Sequence, residues 1–185
     1  MEHKGTVTLS TERLILRRFT VEDAPAMFAN WVNDEKVTRF LTWPVHGNVS
    51  VTENILDEWV KNYQNPDCYN WAITLKDNPA EPIGSIAVVR PIDEKLKIAV
   101  IGYCLSRSRW HTGIMTEALG AVIDFMFDEV GVNKVASFHD PRNPHSGAVM
   151  KKCGMKYEGT LRQADINNQG ICDACCYGLL ADERR

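Results

Sequence analysis

The sequence predicts an α+β fold, and three observations carry that prediction. Apolar residues over the first third of the chain recur at helical spacing. From Tyr69 the period changes to the alternation of strands. An apolar run, Ile98–Leu105, then passes through a short loop into a long helix with one apolar face. Helices, then antiparallel strands, then a helix is an α+β order, and 185 residues suit a single domain covering 1–185.

The elements follow in chain order. Residues 10–19 read as an entry strand, with Leu14 and Leu16 on one face and Arg13 and Arg17 on the other. Thr20 to Asp23 has the form of a capping box and opens a helix through Ala24, Met27, Phe28 and Trp31. A short helix over 34–41 follows and is stopped by Thr42-Trp43-Pro44. Ser50 to Glu53 is a second capping-box pattern. It opens a helix bearing Ile55, Leu56, Trp59, Val60 and Tyr63. Trp71, Ile73 and Leu75 mark a strand, 76–79 a turn, and 83–89 the next strand. After the central strand, Met115, Ala118, Leu119, Val122, Ile123 and Met126 form the buried stripe of a helix that Gly131 ends. Residues 132–139 are a strand. Asn143 and Pro144 start a helix that closes at Gly154. A hairpin over 155–162 and 171–180, turning at 167–170, completes the chain, with 182–185 a solvated tail.

Composition narrows the function. Net charge is −3, from 21 Lys+Arg against 24 Asp+Glu, which lacks the basic face of a nucleic-acid binder and favours a cationic partner such as an amine. No apolar run reaches the ~18 residues of a membrane span, and the first residues have no signal-peptide core, so the expected compartment is the cytoplasm. The six cysteines are expected as reduced thiols. Cys172, Cys175 and Cys176 lack a second ligand pair at metal spacing, so no metal is expected.

The chemistry centres on the join between the central strand and its helix. A helix opening at Gly113 presents backbone N–H groups with no intrahelical partner. Those donors and the positive end of the helix dipole suit a phosphate or pyrophosphate, and glycine lets a ligand approach the main chain.

The run Ala99-Val-Ile-Gly-Tyr-Cys-Leu, followed by Trp110-His-Thr-Gly113-Ile-Met-Thr-Glu117-Ala, resembles the acyl-CoA-binding motif of the GNAT superfamily of N-acetyltransferases, in its RimJ/RimL-type branch. Trp110 stands where the loop motif has Gln or Arg, and Met115 where it has Gly or Ala. The segment Asn143-Pro-His-Ser146, running to Gly154-Met155, and the ending Gly170-Ile-Cys-Asp173 with Tyr177-Gly-Leu-Leu resemble two further family patterns. The resemblance covers nearly the whole chain. It implies the GNAT fold: a central, mixed, mostly antiparallel sheet of about seven strands flanked by helices, splayed between the fourth and fifth strands. It implies acetyl-CoA as acyl donor, held by Tyr103, Cys104 and Leu105 at the strand end, by Arg107 and Arg109, by Trp110, His111, Thr112, Gly113, Ile114, Met115 and Thr116, and by Asn143 and Ser146.

The implied reaction is transfer of an acetyl group to a primary amine, a protein N-terminus such as a ribosomal protein's or a small amine, by direct attack in a ternary complex. A backbone N–H at the strand end serves as oxyanion donor. Many relatives carry a tyrosine at the position of Met150, which cannot donate a proton. Ser146 is therefore the expected donor to the departing thiolate, with Tyr157 as alternative; the rival role of Ser146 is satisfying backbone groups of the helix. The acid that often precedes the Ile-Gly-Tyr step is Val100 here. His139 is then the expected base, ahead of His111 and His145, and water is a further acceptor of the proton. Glu117 is read as a structural or solvated helix residue. Trp31, Phe40 and Trp43 are expected to line the acceptor pocket, with Asp173 or Asp165 anchoring a cationic amine. A homodimer is admissible. The rival functions are a non-catalytic acyl-CoA sensor, suggested by Val100 and Met150, and a nucleotide-binding module, disfavoured by the absence of both phosphate-loop glycine motifs.

Overall fold

A computed structural model describes residues 1–184. Eight strands form one sheet in the order β1-β2-β3-β4-β5-β6-β8-β7. The strands are β1 (Leu9–Ser10), β2 (Leu14–Arg17), β3 (Asn70–Leu75), β4 (Asn78–Val88), β5 (Ile98–Leu105), β6 (Lys134–His139), β7 (Lys156–Asn167) and β8 (Gly170–Leu180). The helices are α1 (Ala24–Met27), α2 (Glu35–Thr38), α3 (Val49–Asn62), α4 (Ile114–Phe125) and α5 (Pro144–Lys152). All neighbouring strands are antiparallel except β5 and β6, which run parallel.

The expected entry strand is two strands, which makes eight rather than seven. Thr11 breaks it: its N–H donates to the Leu14 carbonyl at 3.0 Å, and its hydroxyl accepts from the Leu14 N–H at 3.0 Å, closing a turn. Leu9 and Ser10 then pair back onto Leu16 and Ile15. The cap of α3 also differs. Asn48, not Ser50, is the N-cap, and its side-chain oxygen accepts from Val51 N–H at 3.2 Å. The second short helix is only Glu35–Thr38. At its start Asp34 accepts from the Lys36 N–H at 2.8 Å. The Thr20–Asp23 box forms as expected, with the Asp23 carboxylate accepting from the Thr20 N–H at 2.8 Å and also holding Arg17 through two 2.8 Å bonds. β4 and β7 are longer than expected because each carries bulges that let it continue past an irregular stretch.

Both faces are covered over the middle of the sheet, so most residues of β3, β5 and β6 are buried on either side, while β7 stays largely exposed. On one face, α4 and α5 pack over Leu14, Leu16, Trp71, Ile73, Ile86, Ile101 and Val135. On the other, the α1–α3 layer packs Phe19, Met27, Trp31 and Leu56 over Ala72 and Cys104. The alternation in β3 is direct: Trp71 and Ile73 face α4, while Ala72 between them faces the other layer. Each fully buried large side chain is worth roughly 1.5–3 kcal/mol. Gly131, at φ 77°, ends a π turn over Met126–Val130 that prolongs α4.

The tail is tied down rather than free: Glu183 accepts from Lys156, and Arg184 pairs with Asp128 and, at 3.2 Å, Asp124. Arg185 lies outside the described residues. No helix among them is long and apolar enough to cross a membrane.

Candidate active site

The site begins where β5 and β6 part. They pair in parallel only from Ile98 to Val100, opposite Lys134 to Ala136. The last bridge between them is a side chain: the buried Ser137 hydroxyl donates to the Ile101 carbonyl at 2.8 Å. Beyond it, β5 from Gly102 to Leu105 keeps only its β4 neighbour. The open side of β5 therefore presents main-chain groups to whatever enters the gap. The parting strands are the fourth and fifth of the expected order.

The loop after β5 is braced by its own side chains. Trp110 Nε1 donates to the Leu105 carbonyl at 2.9 Å, so that carbonyl is already engaged. The Thr112 hydroxyl donates to the Arg109 carbonyl at 2.6 Å. His111 and Gly113 take left-handed backbone, at φ 62° and 80°. The first bond of α4 runs from Glu117 N–H to the Gly113 carbonyl at 3.0 Å. The N–H groups of Gly113, Ile114, Met115 and Thr116 find no acceptor among the described residues. Four converging donors on a helix of this length are a cradle for an anionic group.

A cleft of about 240 Å³ opens from this cradle. β5 contributes Tyr103, Cys104 and Leu105, α5 contributes Ser146 and Val149, and the α2 side contributes Val37, Phe40 and Leu41. Tyr103 crosses the gap: its hydroxyl donates to the Ser146 carbonyl at 2.9 Å and accepts from the Ser146 hydroxyl at 3.1 Å. Burial holds the Tyr103 phenol far above its usual range, against the smaller downward pull of Ser146, so it stays a neutral donor.

The opposite wall is pinned from two sides. Arg107 Nε donates to Asp34 at 2.8 Å, tying the start of α2 to the loop after β5. At the tip of the β7–β8 hairpin, Asn168 donates from its side chain to the Thr38 and Trp43 carbonyls at 2.8 and 2.7 Å, and from its N–H to the Leu41 carbonyl at 3.0 Å. Beneath it, Asn167 donates to the buried Asp140 at 2.9 Å, where Arg142 also binds. Hydrogen bonding by Arg142 first, then by its N–H and Asn167, outweighs desolvation and holds the Asp140 carboxyl well below the usual range.

Of the residues singled out from sequence, Tyr103, Cys104, Leu105, Arg109, Trp110, His111, Gly113, Ile114, Met115, Thr116, Asn143, Ser146 and Phe40 line this cleft. Others lie elsewhere. Arg107 is spent on Asp34, and the Thr112 carbonyl faces Arg13. His139 sits under α5, its Nδ1 2.8 Å from the Asp140 carbonyl, its ring against Gly147 and Tyr177. Tyr157 is exposed on β7, its hydroxyl on Thr160. Trp31 is fully buried in the α1–α3 layer, its Nε1 without a partner among the described residues. Trp43 packs on His46, and Asp173 accepts from the Gln163 N–H in a β7–β8 bulge. Asn143 precedes α5 without a side-chain cap bond. Met150 is fully buried, and Val149 faces the cleft in its place. Glu117 is structural rather than solvated, bound by Thr11 and Arg13. Sequence reasoning missed Arg13, Asp34 and Asn168, whose partners lie 73 or more residues away. No group of three or more His, Cys, Asp or Glu able to hold a metal occurs among the described residues.

An opened strand pair beside an unsatisfied helix start offers a slot for an extended chain and donors for an anionic group. Residues 13–156 match the acetyltransferase (GNAT) domain. The chain is 30% identical over 172 residues to the uncharacterized N-acetyltransferase YoaA of Bacillus subtilis (strain 168), covering 93% of this chain and 96% of that one. It is 32% identical over 104 residues to the ribosomal-protein-serine acetyltransferase of Escherichia coli (strain K12), covering 56% and 58%. The solved structure of RimL, a ribosomal L7/L12 alpha-N-protein acetyltransferase in complex with coenzyme A, superposes with a TM-score of 0.82 at 22% identity, over 96% of this chain and 99% of that one. The chain belongs to the GNAT acetyltransferase family and is an acyltransferase with the GNAT fold.

Proposed function

We propose that residues 1–185 act as one acetyl-CoA-dependent N-acetyltransferase that acetylates a primary amine. The observation that carries this reading is the continuity between the unpaired edge of β5 and the four orphan N–H groups at the start of α4. A diphosphate on the α4 cradle and an extended arm along Gly102 to Leu105 would bring a thioester to Tyr103 and Ser146. The α4 cradle would hold the diphosphate through main-chain N–H groups, so side-chain identity there is free to vary, as at Met115.

The amine nitrogen attacks the thioester carbonyl carbon, the carbon–sulfur bond breaks, and the sulfur leaves with the electron pair. A main-chain N–H at the open edge of β5 stabilises the oxyanion. The Ser146 hydroxyl, lent to Tyr103 in this state, turns to the leaving thiolate. The amine proton goes to water or to a histidine at the cleft mouth, where His111 and His145 stack edge to face at 5.1 Å. The acceptor is a small amine or a peptide N-terminus, reaching the thioester between the α2 wall and the hairpin. The compartment is the cytoplasm, in keeping with six free thiols.

An acceptor screen with a thiol-detecting readout tests this. Release of CoA thiol with at least one primary amine is expected. Binding of acetyl-CoA with no thiol release across small amines and N-terminal peptides overturns it in favour of a sensor.

A further inference from the structure

Arg13 lies in the turn between β1 and β2, outside the cleft lining, yet its side chain ends on the loop after β5. Glu117, one turn into α4, gathers three donors: the Thr11 hydroxyl at 2.6 Å, the Arg13 N–H at 2.8 Å and Arg13 Nε at 2.6 Å. This fixes the guanidinium plane. From it Nη1 donates to the Thr112 carbonyl at 3.0 Å. Nη2 lies 3.4 Å from where a Cβ on Gly113 would stand, so the guanidinium backs directly onto the left-handed glycine.

The consequence follows from peptide geometry. The Thr112 carbonyl and the Gly113 N–H belong to one planar trans peptide and point in opposite directions. A carbonyl held toward Arg13 turns the Gly113 N–H away from it. Gly113 lines the cleft and Arg13 does not, so that direction is into the cradle. Gly113, without a Cβ and free to take φ 80°, gives this peptide little intrinsic preference for the required orientation, so an external clamp decides it. A preset donor binds more tightly than one that must be reoriented on binding.

We infer that Arg13, oriented by Glu117, is a positioning residue that aims the Gly113 amide at the pyrophosphate of the acyl carrier. The inference rests on the cofactor reading above. It makes the Arg13–Glu117 pair a device for diphosphate affinity, more than a staple between the N-terminal strands and α4.

Calorimetry with CoA, dephospho-CoA and S-acetyl-pantetheine separates the roles, because only the first two carry the pyrophosphate. Arg13→Gln is expected to weaken CoA and dephospho-CoA by the same factor, about tenfold, and to leave S-acetyl-pantetheine unchanged. Glu117→Gln keeps an oxygen for Thr11 and the Arg13 N–H but frees the guanidinium. It is expected to act in the same direction by a smaller factor, and it supplies the answer if Arg13→Gln does not fold. Arg13→Lys, which reaches only one of the two acceptors, should recover part of the loss. Unchanged CoA affinity in both Arg13→Gln and Glu117→Gln overturns the inference, and so does equal weakening of all three ligands, which marks a purely structural pair. Failure of the unsubstituted protein to bind any of the three overturns the cofactor reading itself.

Discussion

The hydroxyls of Tyr103 and Ser146 form a closed pair across the gap between β5 and α5: Tyr103 donates to the Ser146 carbonyl, and Ser146 donates back to the Tyr103 oxygen. One side chain thereby holds the first turn of α5 at the point where the strands have separated. The pair also sets the Ser146 proton in a bond that must be exchanged before it can serve a leaving group.

That exchange predicts a division of effects. Ser146→Ala should lower kcat about tenfold or more while acetyl-CoA affinity stays within about twofold. Tyr103→Phe should cost about 1 kcal/mol of stability through the two bonds its hydroxyl shares with Ser146. Steady-state kinetics and thermal melts check both, and an unaltered kcat in Ser146→Ala returns the serine to a purely helical role.

Gly113→Asp should abolish CoA binding with the fold retained. It adds a negative charge beside the cradle and puts a Cβ, 3.4 Å from Arg13 Nη2, into a backbone at φ 80°, a conformational cost of about 1 kcal/mol. Unchanged acetyl-CoA affinity, with a circular-dichroism spectrum like the parent's, would remove the cradle as the carrier site.

Asn168→Ala should act on the acceptor alone. It removes the bonds to Thr38 and Trp43 that hold the hairpin tip to the α2 wall, so KM for the amine should change several-fold with KM for acetyl-CoA unmoved. Equal changes in both constants would place Asn168 in general packing.

Asp140 predicts a pH dependence. Its folded pKa is depressed, so its contribution is present above its ordinary unfolded range near 4 and is lost as pH falls through that range toward the folded value. Asp140→Asn should cost about 2 kcal/mol at pH 7 through weakened bonds to Asn167 and the Arg142 N–H; the solvent-exposed guanidinium of Arg142 keeps the figure from being larger. Denaturant melts at pH 7 and pH 3 should show the gap between parent and variant narrowing at the lower value. A constant gap would assign the effect to shape rather than charge.

The legibility of the sequence follows contact distance along the chain. β5 and α4 were readable because an apolar run, a glycine and a helical stripe lie within 30 residues of one another. The family resemblance supplied the splay, which no residue pattern in β5 or β6 announces. Thr11 falls within the expected entry strand because its turn depends on where one hydroxyl points. Asn48 carries no stronger signal than Ser50, which offers an equally good capping pattern two residues on. A strand end makes His139 the expected base, but the neighbouring Asp140 carbonyl and Gly147 claim its ring. Arg13 and Glu117, 104 positions apart, meet only in the fold.

The brief pairing of β5 with β6 has a consequence for exchange with solvent. It possesses a strand border in mid-sheet, where the amide hydrogens of Tyr103 and Leu105, turned away from β4, can trade with solvent although their strand is central. Such borders usually invite a foreign strand. Here the space is a slot between two walls, too confined for a neighbouring molecule's sheet and open to a thin extended chain, so the same exposure that would threaten solubility on the rim becomes a selective entrance.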